Sequence, residues 1–196
     1  MKKRKLFCEY GSVCYAISLL KECRKRDIQD FVKGNKFAKE KNKENMKFIW
    51  KGHTSVIKRK LEGVDMKLQE NKATNLKIAG SKVDGIIVKP GETFSFWNLV
   101  GDATKRKGYV EGLAIANQKP KVKVGGGLCQ LANLIHYMVL HTPLEVVELH
   151  HHTDALFPDS GRRVPFGTGT SIVYKSLDYR FKNTTEYPIQ IRIWQD

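Results

Sequence analysis

Gly125–Thr153 reads GGGLCQLANLIHYMVLHTPLEVVELHHHT. Three glycines lead through Leu128 to Cys129. The apolar run from about Leu128 to Leu140 has the length of a helix, and Thr142 and Pro143 break it. Leu144 to Leu149 then alternates like a strand and ends on His150, His151 and His152. A helix followed at once by a strand, among many short alternating runs, predicts an α+β domain. Its sheet is mostly antiparallel, and the helix bearing Cys129 packs on it.

Working outward, apolar residues at helical spacing (Leu68, Ala73, Leu76, Ala79, Val83) predict a helix that stops near Gly85. Ile86 to Val88 reads as a buried strand, and Lys89-Pro90-Gly91-Glu92 as a turn. Thr93 to Trp97 is predicted extended. Tyr109–Ala116 and Lys119–Val124 form a hairpin around Asn117. On the other side, Phe157–Gly169 is a Pro/Gly-rich loop long enough to serve a function. Ser171–Phe181 and Ile189–Trp194 alternate around Lys182–Thr185, which predicts a closing hairpin.

The N-terminal third differs in charge. The chain of 196 residues is 41% hydrophobic and carries +15. Residues 1–60 hold 18 Lys+Arg against 6 Asp+Glu, so +12 of that charge sits there and +3 remains for the rest. Leu6, Tyr10, Val13, Ile17 and Leu20 form an apolar stripe beside it, weakened by Gly11; Asp27 to Phe31 reads as a second helix, ended by Gly34-Asn35. The division expected is a basic helical appendage, 1–60, and a domain, 61–196. The appendage suits an anionic membrane surface; nucleic acid is not the expected partner. Glu9 interrupts the apolar run that a secretion signal would need, and no stretch is long enough to span a bilayer. Cys8, Cys14, Cys23 and Cys129 follow neither a disulfide framework nor a compact zinc spacing. Reduced thiols and a cytoplasmic place, peripheral to the inner membrane face, are the expectation.

Three readings of the Cys129 region compete. A thiol at a helix start is activated by the helix dipole and by a nearby imidazole. Cys129 would then be the nucleophile, and backbone N–H groups around Gly125, Gly126 and Gly127 would face an oxyanion. His151 is the expected base, because its strand parity is shared by Val147 and Leu149 and so faces the helix. Asp178 is the expected orienter of that ring, and Gln130 a further donor. The second reading places zinc on Cys129, His150 and His152, which share one strand parity; the first needs no cofactor. In the third, the domain only binds, using Phe94, Phe96 and Trp97, and Cys129 is a small buried residue.

Four runs, KPGETFSFWNLVG (89–101), GYVEGLAIANQ (108–118), the Gly125–Thr153 stretch and SLDYRFKNTTEYPIQI (176–191), resemble the VanW family over about residues 68–194. The resemblance implies a cell-wall, glycopeptide-resistance setting, with a cell-wall peptide or precursor as partner, and no particular reaction. Where many members carry Asp in a G-x-D-A-T segment, this chain has Gly167-Thr168-Gly169-Thr170-Ser171. Asp178 matches the family's recurrent acid before a hydrophobic residue.

Overall fold

The computed structural model describes residues 6–7, 10–59, 65–116, 119–151 and 169–196, and of 115, 116, 119 and 120 the backbone alone. The chain divides into two compact units, Met1–Lys36 and Phe37–Asp196. The division thus falls at residue 36 rather than near 60, because residues 37–46 pair with the second unit. Phe37 bridges Thr93, and Lys41 bridges Ile86. The Ile87 N–H donates to Glu40 O at 2.8 Å, and the Gln190 amide donates to Asn42 O at 2.8 Å.

Among its described residues the first unit is built on one α-helix, α1 (Ser12–Val32), where the sequence suggested two. Gly11 lies just outside it as the N-cap, so glycine's poor helix propensity is not felt inside. Gly34, at φ 63°, ends it. Val13, Ile17, Leu20, Ile28 and Phe31 recur along one face, and all are exposed.

In the second unit, α2 (Met66–Val83) begins where the Asp65 carboxylate accepts the Lys67 N–H at 2.8 Å. Its inward row is Gln69, Lys72, Leu76, Ala79 and Val83. The row expected from Leu68 and Ala73 is therefore shifted in the first two turns. Gln69 is buried and Leu68 only partly so.

Among the described residues, three small antiparallel sheets complete the unit. β1 (Ile86–Val88) pairs with β7 (Ile189–Ile191). β2 (Thr93–Ser95), β6 (Arg180–Lys182) and β5 (Glu145–Glu148) form the second, with β6 central and a bulge in β5. β3 (Glu111–Ala116) and β4 (Lys119–Val124) form a hairpin. Between β2 and β3 lies a short helix, α3 (Phe96–Val100); the Ser95 hydroxyl accepts the Asn98 N–H at its start, so the extended run stops at Ser95. The fourth helix, α4 (Cys129–Val139), packs Leu131, Ala132, Ile135 and Val139 into the core with Phe94, Phe96, Tyr179 and Phe181. The Phe94 and Phe181 rings stack at 4.7 Å.

The closing hairpin does not form, because β6 and β7 belong to different sheets. Asn183 parts them. Its fully buried amide donates to Val88 O and Tyr187 O, each at 2.8 Å, and its own N–H donates to Glu92 O. Among the described residues no helix is long and apolar enough to cross a membrane.

Candidate functional site

The turn before α4 is crowded on every side. A Cβ on Gly126 would stand 2.1 Å from Gly112 O, and one on Gly127 would stand 2.2 Å from Lys72 Cγ. Gly125 and Gly127 also hold φ of 76° and 94°. Close approach of chain to chain is thus what requires these glycines. The Gly125 N–H donates to Val110 O at 3.0 Å, and the Gly126 N–H to Lys123 O at 2.9 Å. Those two donors are committed, which corrects the expectation that they face an oxyanion. Asn75 on α2 locks the turn. Its Nδ2 donates to Val110 O and Gly126 O, both at 3.0 Å, and its Oδ1 accepts the Val110 N–H at 2.9 Å.

Cys129 is the first residue of α4 and packs partly buried against the core. Burial pushes its thiol pKa up, outweighing the backbone N–H groups of Ile172 and of Cys129 itself, which favour the thiolate. Among the described residues no imidazole is one of those groups. His151 is exposed; its charge is felt by His136, whose pKa is lowered first by burial and then by His151. His136 is buried, with Nδ1 3.1 Å from the Tyr179 hydroxyl. Asn133, on α4 between Cys129 and His136, accepts the Thr170 N–H at 2.7 Å.

Asp178 serves elsewhere. Oδ2 accepts the Ser95 hydroxyl at 2.5 Å and Arg180 Nε at 2.8 Å; Oδ1 accepts the N–H groups of Trp97 at 3.0 Å and Tyr179 at 2.9 Å. Among the described residues, none of its bonds reaches a histidine, so it ties β2, α3 and β6 together instead of orienting His151. His150 Nε2 lies 2.9 Å from Glu148 Oε1, which also accepts the Asp178 N–H. His152 and residues 157–168 of the expected functional loop fall outside the described residues, as does the zinc set that includes His152. Among the described residues no three His, Cys, Asp or Glu side chains gather to hold a metal.

The binding expectations are rearranged too. Phe94 and Phe96 are fully enclosed core rings with no surface to offer a ligand. Trp97 is partly buried and donates its indole N–H to Leu177 O at 2.9 Å. Gln130 donates to the Ser55 hydroxyl at 3.2 Å and Val56 O at 3.0 Å, pinning the segment 51–59 along α4. His53 continues that contact, its ring centroid 4.8 Å from that of Tyr137.

The sequence reading passed over Lys72. Its stem crosses Gly127, and its pKa is lowered to about 8, first by burial and then by the charge of Arg59. The signal was available: Gln69 and Lys72 stand at 3-4 spacing in line with Leu76, Ala79 and Val83, polar residues in an apolar register.

A family model described as VanW like protein matches residues 71–196. The vancomycin B-type resistance protein VanW of Enterococcus faecalis is 40% identical over 134 residues, 68% of this chain and 49% of that protein. The uncharacterized protein YoaR of Bacillus subtilis is 31% identical over 123 residues, 63% of this chain and 39% of that protein. The chain spans about half the length, or less, of these curated relatives. No solved structure matches.

Proposed function

The chain belongs to the VanW family, and from that premise we propose that it is a module of glycopeptide resistance that binds a cell-wall peptide or precursor. The resistance setting comes from the name of the Enterococcus relative; binding, in preference to chemistry, comes from Cys129. Its thiol is pushed toward the neutral form, and a neutral thiol is a poor nucleophile. Acyl transfer or hydrolysis through Cys129, with His151 as base, is the competing reading. Two measurements separate them. Calorimetric titration with a nucleotide-linked muramyl peptide should show saturable binding, equal in the wild type and in Cys129→Ser. A thiol-reactive probe should label Cys129 only above the ordinary thiol pKa of about 8.5. Labelling at neutral pH, with peptide turnover lost in Cys129→Ser, would instead establish the nucleophile.

The exposed apolar face of α1 and the charge of its unit favour a further partner, the anionic inner face of a membrane, against which the helix would lie.

A further inference from the structure

The inward row of α2 changes character halfway along. Leu76, Ala79 and Val83 fill the core, whereas Gln69 and Lys72, one turn earlier on the same face, bring polar groups inward. Gln69 is 1% exposed, and its Oε1 accepts no hydrogen bond among the described residues. The Lys72 stem lies across Gly127. Arg59 is delivered beside it by the segment that Gln130 pins to α4. Among the described residues neither Lys72 nor Arg59 is ion-paired with an acid. Buried polar groups ordinarily have partners, and neighbouring like charges without a counterion repel. The turn under Lys72 runs into the start of α4, so the helix dipole adds to the same positive field.

We propose that this polar cluster receives the C-terminal carboxylate of a cell-wall peptide: Lys72 and Arg59 hold the carboxylate, and Gln69 Oε1, buried and unpartnered among the described residues, accepts the N–H of the peptide bond behind it. The inference rests on the binding role argued above and names the part of the ligand that is read. A carboxylate end is favoured over a phosphate because the cluster offers two cations and also an acceptor in want of a donor. A peptide terminus supplies both the anion and the N–H, and a fully ionised phosphate supplies only the anion. The lysine's lowered pKa agrees with a cation that lacks its counterion.

The test is calorimetric titration of the full chain with three probes: a nucleotide-linked muramyl peptide with a free C-terminus, the same molecule as its C-terminal amide, and inorganic pyrophosphate. The wild type should bind the acid about tenfold or more tightly than the amide, as loss of one charged contact requires. Lys72→Met should lose that preference and Lys72→Arg should keep most of it. Arg59→Gln should weaken it, and provides the same reading should Lys72→Met fail to fold. Pyrophosphate should not displace the acid. Equal binding of acid and amide by the wild type, or a preference that survives Lys72→Met, would overturn the carboxylate site and leave the binding role standing. Displacement by pyrophosphate would overturn it in favour of a phosphate. Absence of binding by both peptides would bring down the inference together with the role beneath it.

Discussion

His136 shows how one buried residue ties folding to pH. Its ring is enclosed beside Tyr179, and burial, helped by the charge of His151, lowers its pKa below 6.5. In the unfolded chain the imidazole takes a proton near its ordinary value; in the folded chain it resists until lower pH. Below about 6.5 the unfolded state therefore binds more protons, and stability falls as pH falls. The thermal midpoint should drop between pH 7.5 and 5.5 in the wild type. His136→Gln, which can still bond the Tyr179 hydroxyl, should show a shallower drop. Parallel pH profiles for the two would remove His136 as the cause. Single residues were also where the sequence was hardest to read. Cys129 at a helix start and histidine at a strand end were visible. Whether imidazole meets sulfur depends on neighbours far away in sequence, such as Ile172, which no local pattern reveals. Lys72 shares the register of Leu76, Ala79 and Val83, but a lysine in a helix usually faces water, which masks that signal.

The elements were more legible, because each is written in a local period. α2, β1, the β3–β4 hairpin, α4 and β5 stand close to where spacing and turn residues put them. Their partners were less so. Two alternating runs joined by a turn look like a hairpin, yet Asn183 binds Val88 and Glu92 and sends β6 and β7 to separate sheets. The Asp178 carboxylate is a comparable tie, spanning β2, α3 and β6. Asp178→Asn keeps an acceptor for the Trp97 and Tyr179 N–H groups but removes the charge facing buried Arg180. We expect a loss of roughly 2–4 kcal/mol in urea unfolding, the range for breaking a buried ion pair or charged hydrogen bond. A loss within about 0.5 kcal/mol, the usual size of a surface substitution, would show that the tie contributes little to stability.

At the scale of the molecule, charge and topology divide the work. Residues 1–36 carry 10 Lys+Arg against 4 Asp+Glu, beside the exposed apolar row of α1. The chain of 196 residues should co-sediment with anionic vesicles, less so as salt rises from about 0.1 to 0.5 M, because the Debye length falls well below 10 Å. Equal sedimentation by a chain lacking residues 1–36 would place the attraction elsewhere. The second unit carries a different consequence, in time. One edge of β1 can be met by residues 40–42, made before it, but the other has no partner until β7 has been made, because Ile86 pairs with Ile191. Ribosomes add roughly 5–20 residues each second, so β1 waits several seconds with an open edge. The apolar edge of Ile86, Ile87 and Val88 is then available to chaperones, or to a neighbouring nascent chain, throughout that interval. Expression yield should therefore depend more on translation speed and chaperone supply than the stability of the finished protein would suggest.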